Sequence, residues 1–407
     1  MKSLFSTTIL AVAVFSGSLS LYSEPITPAT FASSFSRLFL ATDLPQDTTK
    51  RKTNHVVINT GESGKGNFVY INSDDNRQEK LTYKGNITLT DDFQDIKSIS
   101  PKGYLEYVTT VNDQTKRLEI KSDAQGKLTR SYFENGKAVS YEPAGRQWLQ
   151  QVMPGLMATT GIGLEARVKA IYQKQGTKGV LAEAEKVENG SGKLRMLNYL
   201  LEQPGLKPAD MRLALQRAGS FTDSDYELGK LLGKVPASFL KDGSVTTAYL
   251  QAAGSLGSDY EKGKALAYLL QQPTLHKEAT DNVLAAIGSM SSDYEKSKLL
   301  QQWVNDGHFN PDKYKSTFAV IDHFASDYEK GKSLQSLLNK YNFTPAQYQE
   351  LLPVVSRISS DYEKGKLLRT IAAKIPANAT ALRDDYKKTA RTISSDYEYR
   401  KVIDALD

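Results

Sequence analysis

The chain contains no cysteine among its 407 residues, and only two tryptophans and four histidines. The absence of cysteine excludes disulfides, thiol nucleophiles and cysteine-ligated metals. It also excludes a lipobox, so a lipoprotein anchor cannot form. The fold must therefore be held together by packing and hydrogen bonds alone.

The histidines are too scattered for a metal site, and the familiar catalytic motifs are missing. No His-Glu-x-x-His spacing, Gly-x-Ser-x-Gly elbow or Gly-x-x-x-x-Gly-Lys-Ser/Thr loop occurs. The sequence thus predicts no catalytic residue, no metal ligand and no cofactor. Because the chain carries 46 acidic residues, a carboxylate pair for acid–base chemistry remains an open alternative.

Three short segments resemble ligand loops but are interpreted as turns. The segment GESGKGN (61–67) lacks the spacing of a phosphate loop and lies between predicted strands. The clusters NSDDN (72–76) and TDDFQD (90–95) could bind calcium, but their spacing fits no EF-hand. A hairpin turn and two solvated turns are the preferred interpretations.

Charge gives little support for a nucleic-acid partner. The formal net charge is +6, and 24% of the residues are charged, but basic and acidic side chains are interspersed. No arginine-rich run is present, so we expect no nucleic-acid binding. Beyond the N-terminus, no apolar run is long enough to predict a transmembrane segment in the mature chain.

The first residues have the pattern of a secretory signal. Lys2 precedes an apolar stretch from Leu4 to Phe15, and small residues follow. This pattern predicts a signal peptide at 1–23 and an exported, periplasmic or extracellular protein; an uncleaved anchor is the alternative. Residues 24–53 are predicted to be a linker or a short amphipathic helix.

Residues 54–142 predict an antiparallel β-meander of six to eight strands with one wet face. Runs such as GNFVYINS and GYLEYVTTV alternate apolar and polar residues. Turn signals separate the runs: Asn112-Asp113, Gly126 and Asn135-Gly136. The first helices that follow are expected to cover the other face of the sheet.

Residues 143–407 predict helices and a tandem repeat. A Ser-Asp-Tyr-Glu motif recurs six times, with its aspartates at spacings of 34, 34, 34, 34 and 35 residues. Fainter units begin near residue 160, and clear ones begin at 224. A fixed period of this length indicates stacked helix–turn–helix units. We therefore expect an α+β fold in which the meander precedes a right-handed α-solenoid of about seven units.

The motif itself predicts helix caps. A serine followed three residues later by glutamate is a capping box, in which the two residues satisfy each other's backbone N–H groups. The pairs are Ser224/Glu227, Ser258/Glu261, Ser292/Glu295, Ser326/Glu329, Ser360/Glu363 and Ser395/Glu398. The aspartate would favour the helix dipole, and the lysine four residues after each tyrosine would pair with the glutamate.

The tyrosine is expected to begin the apolar stripe of each motif helix. Five of the six units have a small residue three positions later, as at Gly331. Since glycine weakens a helix, a neighbouring backbone or tyrosine ring is expected to lie close there. The alternative is that the aspartates or tyrosines form a ladder on one surface and contact a ligand.

Two resemblances extend beyond the repeat itself. The period matches tetratricopeptide repeats, although their consensus residues are absent. The segments DIKSISPKGYLEYV (95–108) and GIGLEARVKAIYQKQG (161–176), with the repeated motif, resemble uncharacterised exported bacterial proteins. Similar segments are attached to some antirepressor-type membrane zinc peptidases, whose zinc motif and membrane helices are absent here. The resemblance implies an extracytoplasmic sensing or binding module.

These observations predict a non-catalytic module that binds or scaffolds an unknown protein or peptide partner. Phe309 and Phe343, in variable loops between helices, are the predicted partner contacts, and burial within the turns is the alternative. A cell-envelope hydrolase and a self-assembling structural protein are the other two candidate classes.

Overall fold

Nine β-strands occupy the first part of the described chain. They are β1 (Asn54–Asn59), β2 (Asn67–Ser73), β3 (Arg77–Lys84), β4 (Ile87–Leu89), β5 (Ile96–Ile99), β6 (Tyr104–Val111), β7 (Gln114–Ser122), β8 (Leu128–Glu134) and β9 (Lys137–Val139). Seven form one antiparallel sheet in the order β1-β2-β3-β6-β7-β8-β9, and β4 pairs with β5 separately. The predicted meander is present, and the β4–β5 ribbon interrupts it once.

The computed structural model describes residues 54–406, except 61–63, 74–75, 223, 273–274 and 276, and it does not describe the side chains of 54–56, 277 and 278. The described residues belong to one compact unit. The predicted signal peptide at 1–23 and the predicted linker or short helix at 24–53 lie outside the described residues.

Two turns of the sheet have the backbone that their sequences predict. Asn112 and Asp113, between β6 and β7, both have positive φ angles, of 49° and 62°. Asn135 and Gly136, between β8 and β9, have φ angles of 48° and 79°. Positive φ at both central residues matches the twist of antiparallel strands, which is why Asn-Gly and similar pairs are favoured there.

One face of the sheet is buried beneath the first helix, α1 (Arg146–Thr160). The buried side chains of β6, β7 and β8 include Tyr107, Leu118 and Tyr132. Trp148 of α1 stacks on Tyr107 with 5.4 Å between ring centroids, and lies 5.5 Å from Tyr132. The sheet and the helices therefore share one hydrophobic core. A sheet with one solvent-exposed face must cover its other, apolar face in this way.

Fourteen further α-helices follow in the described chain. They are α2 (Leu164–Glu185), α3 (Gly190–Leu201), α4 (Pro208–Phe221), α5 (Asp225–Leu232), α6 (Gly243–Gly254), α7 (Asp259–Leu270), α8 (Lys277–Gly288), α9 (Asp293–Asn305), α10 (Tyr314–Asp322), α11 (Asp327–Lys340), α12 (Pro345–Ser356), α13 (Asp361–Ala372), α14 (Thr380–Ala390) and α15 (Asp396–Asp404). Two short 3-10 helices, Phe239–Lys241 and Pro311–Lys313, precede α6 and α10. The chain is thus α+β.

The helices contact one another in an alternating order. The six helices that begin with the motif, which are α5, α7, α9, α11, α13 and α15, each contact the next one in this series. The intervening helices do the same, with α6 against α8, α8 against α10, α10 against α12, and α12 against α14. Their leucines and isoleucines, such as Leu367, Leu368 and Ile371, are fully buried.

The joint between sheet and helices should depend strongly on Trp148. Replacing it with alanine removes the ring that fills the space against Tyr107 and Tyr132. We expect Trp148→Ala to lower the free energy of unfolding by about 3–5 kcal/mol, measured by urea denaturation with circular dichroism. Gln147→Ala, at an exposed neighbouring position, is the matched control, and equal midpoints for the two variants would contradict this assignment.

Candidate functional site: a row of exposed tyrosines

The hydroxyl of every motif serine caps its helix. Each Oγ accepts the backbone N–H of the glutamate three residues later, at 3.3–3.4 Å, as for Ser326 and Glu329. These distances are long for an N–H···O bond. The caps thus define where the motif helices begin, but each one contributes less than a short, well-aligned bond would.

The second hydrogen bond of the expected capping box, from the serine N–H to the glutamate side chain, is not formed in the described units. In five units the serine N–H donates to the aspartate of the preceding unit, instead of to the glutamate of its own helix. The expectation that the glutamate side chain reaches back to the cap is therefore wrong in these units, and the residues corrected are Glu261, Glu295, Glu329, Glu363 and Glu398. The serine amide joins two units.

The first unit departs from the capping box in its own way. The N–H of Ser224 donates to Oγ1 of Thr222 at 3.0 Å, so the side chain of Glu227 does not reach back to this cap. The assignment of Glu227 as a capping side chain is therefore corrected: only its backbone N–H takes part, donating to Ser224 at 3.4 Å. Oε2 of Glu227 is buried and accepts no hydrogen bond from the described residues.

Each motif aspartate from Asp225 to Asp361 accepts two backbone N–H groups from the next unit. Asp327, for example, accepts from Ser359 at 3.0 Å and from Ser360 at 2.8 Å. Across the five units, all ten distances lie between 2.6 and 3.1 Å; the aspartates are Asp225, Asp259, Asp293, Asp327 and Asp361. We call this series the aspartate ladder. It fastens the first turn of each motif helix to the cap of the next.

The motif glutamates point into the packed interface between units. From the second unit onward they are only 7–9% exposed; these are Glu261, Glu295, Glu329, Glu363 and Glu398. A Cβ added at Gly331 would lie 2.7 Å from Oε2 of Glu363. The repeated glycine therefore makes room for the next unit's carboxylate, and the expectation of a backbone or tyrosine ring at this place is wrong.

The motif tyrosines are on the outer surface. They are 57–65% exposed, and the set is Tyr226, Tyr260, Tyr294, Tyr328, Tyr362 and Tyr397. The expectation that tyrosine begins the apolar stripe is wrong because of helical periodicity: the stripe Leu367, Leu368 and Ile371 extends back four residues to positions 363 and 364. Tyr362 instead shares its face with Lys366, which is exposed.

The aspartate ladder connects the helices that carry these six tyrosines, and we call the set the tyrosine row. Each tyrosine from Tyr226 to Tyr362 directly follows an aspartate that accepts a hydrogen bond from the cap serine of the next unit. The tyrosine of that next unit lies two residues after the same serine. Adjacent motif helices are in contact, and packed helices have axes about 8–10 Å apart. We therefore expect tyrosines of adjacent motif helices to be separated by about the same distance.

Lysines accompany the row. The lysine four residues after each tyrosine lies on the same helix face, and its Nζ is 5.3 Å from the ring centroid at Tyr260, 6.0 Å at Tyr328 and 4.0 Å at Tyr397. Lys264 also donates to Glu261 at 3.0 Å, and this hydrogen bond raises the pKa of Lys264 above its ordinary value. The expected pairing with glutamate is thus present there, and also at 4.0 Å between Lys298 and Glu295.

The two phenylalanines that sequence reasoning chose as partner contacts are buried. Phe309 is 4% exposed and Phe343 is 7% exposed. Phe309 lies 4.7 Å from Tyr341 and 5.9 Å from Trp303, and Phe343 lies 5.6 Å from Phe318, between ring centroids. Their apolar rings fill the space between consecutive units, so the assignment of these residues as partner contacts is corrected.

Other features of the described residues give weaker evidence for a functional site. A cavity of about 400 Å³ between the β4–β5 ribbon and α1 is lined by Phe93, four glutamines and Arg167, among others, and by no carboxylate. Among the described residues, no three His, Asp or Glu side chains are grouped as a metal site would need. None of the described helices combines the length and apolar character needed to cross a membrane.

The aspartate ladder should contribute measurably to stability. Asp327→Ala leaves two N–H groups without their charged acceptor, and we expect a loss of about 1.5–3 kcal/mol in urea denaturation. Asp396→Ala is the matched control, because Asp396 has the same position in the first turn of its motif helix but is exposed. That change should cost only the helix-dipole contribution, about 0.3–1 kcal/mol. Equal losses would show that the ladder bonds add nothing.

Acid should weaken the ladder at Asp293. Burial raises the pKa of this carboxyl, but the N–H groups of Ser326 and Ala325 and the ammonium of Lys296 lower it, and the net pKa is below its ordinary value. Because the folded pKa lies below the unfolded one, ionised Asp293 stabilises the fold above about pH 4. This contribution is lost as the pH falls through the folded pKa.

The thermal midpoints of the wild type and of Asp293→Asn, measured from pH 7 to pH 3, test this dependence. The variant should unfold at a lower temperature at pH 7, and the difference should narrow as the pH falls. A difference that stays constant over the range would contradict a role for the ionised carboxylate.

Comparisons with known proteins give no family for this chain. No protein-family model matches it, and no curated protein matches it. A solved structure of a computationally designed, self-assembling cyclic homooligomer is similar at 10% identity over 64% of this chain and 93% of the other, with a TM-score of 0.13. At that TM-score the likeness carries no argument, so function must be inferred from the site itself.

Proposed function

We propose that this chain is an exported, non-catalytic binding protein that holds an extended protein or peptide partner along the tyrosine row. The observation that carries the proposal is the exposure of all six motif tyrosines, at 57–65%, on six motif helices of which each contacts the next in the series. Large aromatic side chains left exposed in a contiguous series mark interaction surfaces more often than isolated ones do.

Tyrosine suits such a surface for physical reasons. Its ring offers a large contact area, its hydroxyl can donate and accept, and only two side-chain torsions must be ordered on binding. The contacts that join the units do not use the tyrosine ring: the aspartate bonds to the next cap, and the glutamate fills the interface. The described contact of the ring is with the lysine four residues later on its own helix, as at Tyr260. The tyrosine is thus the motif residue available to a partner.

We further propose that the helices form a right-handed α-solenoid of about seven helix pairs. The contact of each motif helix with the next one supports this arrangement, as does the regular period of the motif. In a solenoid, equivalent residues of successive units line one surface. The tyrosine row would then be continuous and suited to a partner that lies across several units.

Export completes the proposal. The apolar stretch from Leu4 to Phe15 behind Lys2 supports it, as does the resemblance to exported bacterial proteins. The partner would then be a periplasmic or extracellular protein or peptide, with envelope sensing as one use of its capture.

Site-specific photocrosslinking tests the proposed contact surface. A benzophenone amino acid is placed at Tyr294 or Tyr328 in the row, and at Tyr104 of the sheet as a control, since Tyr104 is also exposed, at 39%. In the producing cells, we expect the two row positions to crosslink to one common polypeptide that Tyr104 does not reach. Equal crosslinking from Tyr104 would contradict the proposal.

The same experiment separates the alternatives. Crosslinks formed only between copies of this chain would favour a self-assembling structural protein. The stability of the variants is checked by thermal unfolding, where exposed positions should change the free energy of unfolding by less than about 0.5 kcal/mol.

A further inference from the structure

The chemistry of the tyrosine row restricts the kind of partner that fits it. This step rests on the proposed function, because it takes the row to be the contact surface and asks what lies on it. Three properties of the row are relevant: the charge that is left exposed beside the tyrosines, the size of the side chains between them, and the interval at which they recur.

The exposed charged side chains beside the row are mainly lysines, of which Lys264 and Lys298 also lie 3.0 and 4.0 Å from a glutamate of their own helix. The motif aspartates from Asp225 to Asp361 each accept two N–H groups from the next unit, so these carboxylates are occupied. The motif glutamates from the second unit onward are buried. Most lysines of the row are exposed, the set being Lys230, Lys264, Lys298, Lys366 and Lys401. A row of ammonium groups beside aromatic rings complements an acidic ligand.

One position between successive tyrosines always carries a small side chain or none. The residue before each cap, whose N–H bonds to the preceding aspartate in the ladder, is exposed; the residues are Gly257, Ser291, Ala325, Ser359 and Ser394. No large side chain from this position obstructs the path from one tyrosine to the next. At this position, a partner chain that passes from one tyrosine to the next meets no bulky side chain.

The interval favours a polyproline II chain. With about 8–10 Å between packed helices, the row matches the polyproline II repeat of about 9.3 Å, because that helix returns to the same face every three residues. In a β-strand, side chains on one face repeat about every 6.8 Å, which does not match the interval between tyrosines. An α-helix returns after about 10.5 Å, but its diameter of about 10–12 Å keeps most of its surface away from the rings.

We infer that the tyrosine row binds an acidic peptide in the polyproline II conformation, with one residue of every three on a tyrosine ring and carboxylates beside the lysines. Proline is suited to the ring position because its compact apolar ring packs on aromatic side chains. Such a chain is already ordered before binding, so it loses little conformational entropy. Contacts at several successive tyrosines then add through multivalency.

Synthetic peptides test the inference directly with the purified protein. Fluorescein-labelled (Pro-Pro-Glu)6 is compared by fluorescence anisotropy with (Pro-Pro-Lys)6, which reverses the charge, and with (Gly-Gly-Glu)6, which removes the polyproline conformation. We expect (Pro-Pro-Glu)6 to bind at least tenfold more tightly than either, with an affinity that falls as salt is added. A shorter (Pro-Pro-Glu)2 should bind more weakly, since it spans fewer tyrosines.

Variants locate the binding on the row. Replacing Tyr294 and Tyr328 together with serine should weaken (Pro-Pro-Glu)6 binding about tenfold or more. Replacing Lys298 and Lys332 together with glutamine should reduce the salt dependence. Tyr104→Ser, outside the row, should bind as the wild type does. Thermal unfolding confirms that each variant is folded.

The inference is overturned if (Gly-Gly-Glu)6 or (Pro-Pro-Lys)6 binds as tightly as (Pro-Pro-Glu)6. It is also overturned if an acidic helical peptide of equal charge binds more tightly and with the same dependence on Tyr294 and Tyr328. In either case, crosslinking of a partner from Tyr294 and Tyr328 would still support the proposed function. Loss of that crosslinking would remove the function itself, so the two failures are distinguishable.

Discussion

The hydrogen bonds from each motif aspartate to the backbone of the next cap are the contacts on which the helical part of this protein depends. A carboxylate accepts two N–H groups at 2.6–3.1 Å in five successive units. Bonds of this charge-assisted kind are stronger and more directional than neutral ones. They fix the ends of neighbouring helices, whereas apolar packing between helices alone would allow them to slide.

Once the helix ends are fixed, the other motif residues acquire their roles from geometry. Glutamate and lysine at the second and third positions after the aspartate, such as Glu363 and Lys364, are buried against neighbouring units. Tyrosine, one position after the aspartate, remains on the outside. Three adjacent residues of one helical turn thus face three directions, because successive residues are rotated by about 100° around the helix axis. In one short motif, the aspartate joins two units, the glutamate fills the interface between them, and the tyrosine is exposed on the surface.

The sheet occupies the N-terminal side of the same core. A sheet with one apolar face needs a cover, and α1 supplies it through Trp148 between the aromatic rings of β6 and β8. A chain without cysteine gains its stability from such contacts. The continuous hydrophobic core from the strands through the last helix explains why residues on both sides of position 143 belong to one compact unit.

Local pattern in the sequence was sufficient for the elements themselves. Asn135-Gly136 predicted a hairpin, each motif serine predicted the start of a helix, and the spacing of Leu367, Leu368 and Ile371 predicted a buried face. These features depend on backbone torsions and on side chains a few residues apart, which one segment specifies by itself. The spacing of five residues between Tyr362 and Leu367 was the signal that the tyrosine lies off the stripe, and it was available in the sequence.

Contacts between units were decided only by the tertiary structure. The partner of Asp327 lies 32 and 33 residues away, at Ser359 and Ser360. The burial of Phe309 and Phe343 likewise depends on rings from adjacent units, such as Tyr341 and Phe318. An aspartate at the start of a helix can interact with the dipole of its own helix or accept a hydrogen bond from a neighbouring helix, and the residue type alone does not distinguish the two. Which one it does is set by how the neighbouring helix lies against it, and that is a property of the packed chain.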